Sequence, residues 1–192
     1  RKESGGKLLG VLLALAMIVG LFPGMSLTAY AADDPYASLK YTTTVITFDG
    51  KPWYLIDYDA TTVTLLSEEC VTASKFGTDS TYSGSTVETA VNNYYKNNIS
   101  TAAKAALIGG MFLLTPEQAN AIRDVNYLVL KCPWPSDAEA NLWWLNGPGR
   151  YADTVQCADG DVSYVWTNGF NVDYTLGVRP ALKLNLSSVI FS

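Results

Sequence analysis

The sequence predicts an α+β domain made of antiparallel strands, two helices and C-terminal hairpins. Three observations carry that expectation. Residues 41–69 are rich in β-branched and aromatic side chains, punctuated by Asp49-Gly50 and Asp57-Tyr58-Asp59. Two helix-start signatures follow, Ser85-Thr86-Val87-Glu88 and Thr115-Pro116-Glu117-Gln118. The last third returns to strand-like composition, with Asp159-Gly160 and Asn168-Gly169 as hairpin signals. Strands, then helices, then strands that come back to pair with the first ones describe α+β rather than alternating α/β architecture.

The elements follow in order. Residues 1–31 read as a secretory signal: Arg1, Lys2 and Lys7 lead, residues 8–22 form an apolar core, and Ala29-Tyr30-Ala31 fits the small-x-small cleavage pattern. The apolar run is shorter than the roughly 18–20 residues that span a bilayer, so no membrane insertion is expected after cleavage. Residues 32–40 form a short acidic lead-in, and residues 41–192 one domain.

Asp49-Gly50 and the Asp57–Asp59 stretch divide residues 41–69 into a three-stranded meander. In the first capping box, the Ser85 hydroxyl takes a free first-turn amide while Glu88 reaches back. The helix it opens should turn Val87, Val91, Tyr94 and Tyr95 toward the core, with a short helical turn after Ser100. In the second box proline occupies the first helical position, and Ala119 and Ile122 should point inward. If Asn168-Gly169 is a two-residue turn, Val165 lies opposite Val172. Val162 then requires a bulge, most economically at Gly160, or one valine is exposed. Leu182, Leu184 and Leu186 alternate along a last strand, and Pro180 should place its start at a sheet edge or bulge.

Charge and composition exclude several functions. The chain has 13 basic and 18 acidic residues; without residues 1–31 the counts are 10 and 17, a net charge of −7. That balance argues against a nucleic-acid partner and against anionic lipid. With no histidine in the chain, His-based acid/base catalysis and a Ser-His-Asp triad are excluded. Cys70, Cys132 and Cys157 show no metal-ligand spacing, and no cofactor is expected. Three cysteines allow at most one internal pair; because this is no disulfide-dense scaffold, three thiols are expected, two of them buried. Glu68 and Glu69 are adjacent and would point to opposite faces of a strand, and Glu88 already caps a helix, so no hydrolase pair emerges. Asp159, Asp161 and Asp173 have the oxygen chemistry of a calcium site but read as solvated turn residues. Arg179 should support the fold through an ion pair or carbonyl contacts.

"LLTPEQA", "WWLNGPG", "ADG", "NG" and "GVRPALKLNLSSVIF" occur in this order. That order resembles a bacterial surface-domain family whose usual signature is WWLRSPG followed by GVRPAL. The resemblance covers residues 41–191 and implies a C-type-lectin-like fold, in the branch that includes formylglycine-generating-enzyme-like domains. Relatives include the variable proteins of diversity-generating retroelements, in which reverse transcription errors rewrite codons near the C-terminus. Asn146 and Gly147 depart from the pattern, where arginine and serine are usual. Residues 150–176 contain no Lys, Glu or Met, and apart from Gln156 and Trp166 use only residues reachable by adenine mutation of AAC codons.

Burying an indole is worth about 2–3 kcal/mol, so at least one of Trp143 and Trp144 is expected in the core, with sugar stacking as the alternative use of a ring. The candidate ligand-binding residues are Asn146, Arg150, Tyr151, Asp153, Asp159, Tyr164, Trp166, Phe170, Asn171, Asp173 and Tyr174. Large rings with adaptable Asn and Asp hydrogen bonding are the chemistry of antibody loops. The expected function is non-enzymatic: a secreted or cell-surface, adhesin-like domain whose partner is a protein or glycan on another surface. The alternative is a spacer module without a ligand of its own.

Overall fold

The computed structural model describes residues 36–132, 134 and 141–186. The expected signal segment, the start of the lead-in and the apolar end at 187–192 lie outside the described residues. The chain is α+β, with mostly antiparallel strands and few helices. It begins with the expected meander: β1 (Ile46–Phe48), β2 (Lys51–Tyr58) and β3 (Thr62–Ser67). Asp59 closes the second turn by accepting from the amides and hydroxyls of both Thr61 and Thr62. These bonds favour the ionised carboxylate and hold its pKa well below the usual range.

A short β4 (Thr72–Lys75) precedes α1 (Thr86–Asn98). Ser85 Oγ accepts from the Glu88 amide as expected, but the Glu88 carboxylate reaches back to the Gly84 amide, one residue earlier than a capping box requires. Val87 and Val91 are buried; Tyr94 and Tyr95 pack half-buried beside them. After α2 (Thr101–Ala105) and β5 (Phe112–Leu113), α3 (Pro116–Asn126) carries a complete capping box on Thr115 and Gln118 and buries Ala119 and Ile122. A 3-10 turn (Tyr127–Leu130) follows. The C-terminal strands are β6 (Leu142–Pro148), β7 (Thr154–Asp159), β8 (Tyr164–Asn171), β9 (Thr175–Val178) and β10 (Pro180–Asn185).

These strands form two five-stranded sheets, ordered β1-β2-β3-β10-β5 and β4-β9-β6-β7-β8. Neighbours are antiparallel except β6 and β9, which meet in parallel at Trp143 and Gly177. Both sheets bury two faces. One core cluster joins Trp53, Leu55, Leu182, Trp144 and Val178 to Val87 and Val91 of α1. The other joins Tyr54, Ile56, Ala181, Trp143 and Val165 to Ala119 and Ile122 of α3. Successive strand residues face opposite ways, so the segments 53–56 and 143–145 must be apolar at every position. Both Trp143 and Trp144 are fully buried.

Arg179, between β9 and β10, is also fully buried. It takes carbonyl contacts: Nε donates to Ser67 O (2.8 Å), Nη1 to Val129 O (2.7 Å) and Nη2 to Glu68 O (3.0 Å). The guanidinium also lies 5.1 Å from the Trp143 ring centroid and 5.8 Å from that of Tyr54. Burial pulls its pKa down to about 9, with Tyr54 and Glu68 acting against it, so it keeps its charge at neutral pH.

Three expectations are corrected. Asn168-Gly169 does not turn the chain. Both residues lie inside β8, where Gly169 (φ +79°) takes up a register shift against β7, and Val165 pairs with Ala158 rather than Val172. The left-handed conformation that made the dipeptide resemble a turn is used by a bulge. Of the two alternatives for Val162, exposure holds: it lies open to solvent in the loop after β7. Strand β6 runs through Gly147 and Pro148, and the reversal comes at residues 149–153. Pro180 does not mark a sheet edge: β10 lies between β3 and β5. Proline is tolerated because it is the first residue of the strand, ahead of the ladder with β3 that begins at Ala181. Finally, Cys70 and Cys132 form a disulfide, with Cα atoms 5.6 Å apart, and the remaining thiol, Cys157, is buried. The sequence offers no local signal for a pair 62 residues apart.

Candidate functional surface

The candidate residues converge on β8, the outermost strand of the second sheet. Its inner side is laddered to β7. Val165 turns into the core, while Tyr164 and Trp166 on the opposite face are 45% and 38% exposed. From there the rings continue without a gap. Tyr164 and Trp166 have centroids 5.1 Å apart, Trp166 and Phe170 5.8 Å, and Phe170 and Tyr174 5.8 Å, each pair edge-to-face. Such contacts are worth about 0.5–1.5 kcal/mol each beyond area burial. Phe170 is half-buried and packs on the first core cluster, so the row is rooted in the core while Tyr164, Trp166 and Tyr174 remain open to solvent.

Polar groups hold the row in place. Asp159, opposite Tyr164 in the ladder, accepts from the Trp166 indole N–H (3.2 Å). Its other oxygen accepts from the amides of Asp161 and Val162, which shapes the β7–β8 loop. Asn171 donates from Nδ2 to Asp153 (2.8 Å), and its Oδ1 accepts from the Asp173 amide. Asp173 pairs with Lys75 of β4 at 3.3 Å, both well exposed.

The loop at 149–153 closes over the far half of β8. The Arg150 amide donates to Asn168 O (2.9 Å), and the Val172 amide donates to Asp153 O. A Cβ at Gly149 would meet the Asn168 carbonyl oxygen at 2.5 Å, and one at Gly169 would meet that of Val155 at 2.7 Å and Gly149 Cα at 3.0 Å. Two glycines therefore let loop and strand touch backbone to backbone. The loop presents Arg150 and Tyr151, whose guanidinium and ring centroid are 5.9 Å apart. Tyr151 is 61% exposed.

Ten of the eleven candidates thus lie on β8, on its hairpin partner or in the two loops bordering it. Asn146 stands apart. Its side chain is exposed, but its amide donates to Leu114 O beside α3, and no described contact joins it to the row. Sequence reasoning left out Thr167 and Asn168, which are exposed on β8 because the strand continues through the supposed turn. It also left out Lys75, which reaches the surface from a strand nearly a hundred positions away; only strand pairing could have revealed it.

Two cavities, about 240 Å³ beside Tyr41 and Glu117 and about 220 Å³ beside Lys51 and Tyr94, include none of these residues. Cys157 lies on β7, opposite Trp166 in the ladder, and burial raises its pKa well above the ordinary thiol range, which disfavours a reactive thiolate. No family model matches the chain, and neither does any curated protein or solved structure.

Proposed function

We propose that this chain is a secreted or cell-surface ligand-binding domain of C-type-lectin-like fold, acting by non-covalent recognition rather than catalysis. The observation that carries the reading is the unbroken row Tyr164–Trp166–Phe170–Tyr174, three of whose rings are exposed. Full burial of a large side chain is worth about 1.5–3 kcal/mol, and a partner can recover the share that these partly exposed rings leave in water. The rings lose little entropy on binding because their neighbours already fix them.

Other features support the finer parts. Two mostly antiparallel sheets flanked by helices, with the last strand returning beside β3, suit the lectin-like architecture. The Cys70–Cys132 disulfide suits an oxidising compartment. Display on a hairpin fixed to a two-faced core suits a surface whose residues vary while the scaffold does not, as in retroelement variable proteins.

The test compares the wild-type domain with a Tyr164→Ser, Trp166→Ser, Tyr174→Ser variant on a glycan array and against intact cells. Binding that the variant loses while it still unfolds in one cooperative transition is the expected result. Equal retention by both proteins overturns the reading and leaves a spacer module.

A further inference from the structure

Sheet edges are normally blunted, because an open row of amides and carbonyls invites another strand. Three edges of this molecule are short: β1 has 3 residues, β5 has 2 and β4 has 4. The fourth, β8, has 8 residues with no charge and no proline in YVWTNGFN, and it is interrupted by the bulge around Gly169, where the 149–153 loop bonds to Asn168. Among the described residues no strand lies on its outer side.

The charges around this edge decide what can approach it. Asp159 and Asp161 lie at the Tyr164 end, Asp153 bonds to Asn171, and Asp173 adjoins Tyr174. Against these four carboxylates stand Arg150 and Lys75, and Lys75 is paired with Asp173. Among the described residues, Asp153, Asp159 and Asp161 have no cation within 4.0 Å. A second copy of this edge would bring carboxylates against carboxylates, so self-pairing is opposed. An approaching lysine or arginine meets the reverse: carboxylates at both ends and aromatic faces between them, suited to cation–π contact. A neutral sugar would make no use of that charge.

We propose that the outer edge of β8 takes an extended, basic segment of a partner protein, added as a strand, with alternate lysine or arginine side chains over the aromatic row. This rests on the reading of the row as a binding surface and names its partner class. Main-chain pairing would supply affinity, and the rings and carboxylates would select the side chains.

The test uses a displayed library of random octapeptides selected against the whole domain. The expected outcome is enrichment of lysine or arginine at alternate positions and depletion of proline. A selected peptide should bind about tenfold more weakly to Trp166→Ala, as for a central interface ring. Asp153→Asn combined with Asp161→Asn keeps acceptor oxygens while removing two charges, and should lessen the salt dependence of binding. N-methylation of alternate amides in the peptide should abolish binding on one register. Selection of neutral, acidic or proline-containing peptides, or no selection at all, overturns the proposal. Glycan binding that depends on Trp166 would overturn it while leaving the surface reading intact; loss of both would remove the two together.

Discussion

Strands β6 and β8 use the same kinds of side chain for opposite ends. Leu142-Trp143-Trp144-Leu145 buries both indoles completely; Tyr164-Val165-Trp166 buries the valine and leaves both rings in water. The difference is position in the sheet. Strand β6 lies between β9 and β7, with a helix-backed cluster on each face, whereas β8 has one neighbour and one covered face. The indole N–H groups reflect the same contrast. Those of Trp143 and Trp144 donate to the carbonyls of Leu130 and Ser74, and that of Trp166 to a carboxylate at the surface. Residue type sets what a side chain can do, and sheet order sets which of those things it does.

The contrast breaks if tryptophan costs the same on both strands. Trp143→Ala should lose about 3–5 kcal/mol in urea denaturation, since it opens a cavity and strips a ring from Arg179. Replacing Cys70 and Cys132 together by alanine should cost about 2–4 kcal/mol, because the bridge closes a long loop in the unfolded chain. That loss should leave ligand retention per folded molecule unchanged, because the disulfide joins the second core cluster and not the row. Gly169→Ala sharpens the comparison from the other side. It puts a Cβ against backbone at positive φ and should cost roughly 1–3 kcal/mol. It should also weaken binding, because the 149–153 loop rests on that contact. Trp166→Ala should cost about 1–3 kcal/mol through its two ring contacts, while weakening retention about tenfold; a loss as large as that of Trp143→Ala would make β8 scaffold.

The smallest effect concerns pH. The Asp59 carboxylate has its pKa lowered by the Thr61 and Thr62 bonds, so the unfolded chain binds its proton more readily. Its contribution is complete above the ordinary aspartate range and disappears as pH falls through the folded value. The gap in denaturation midpoint between wild type and Asp59→Asn should therefore be present at pH 7 and shrink on acidification. A gap that widened in acid would reverse the assigned sign.

Features set by near neighbours in the chain were legible in the sequence. Ser85 and Thr115 marked the starts of α1 and α3 because capping is settled within four residues. The meander was legible because each of its turns lies beside the strands it joins. Long-range pairing was not. Asn168-Gly169 carried a true backbone signal whose outcome, bulge or turn, depended on the ladder with β7. Pro180 pointed to an edge, but the chain uses it as the entry to an interior strand. The candidate surface divides the same way. Its residues stood out by composition, but their joining into one row needed the register of β8, and the setting apart of Asn146 needed the contact of its amide with Leu114.

Arg179 bears on the order of assembly. Its three donors close over carbonyls 50, 111 and 112 positions earlier in the chain, and β10 then enters between β3 and β5. Until that segment has left the ribosome, β3 is an open edge and the first sheet is two pieces. Folding must therefore wait for nearly the whole described chain, and contacts of such long span form slowly. Nascent chains stalled before Arg179 has emerged should remain protease-sensitive throughout, and those with Asn185 clear of the exit tunnel should become resistant in a single step.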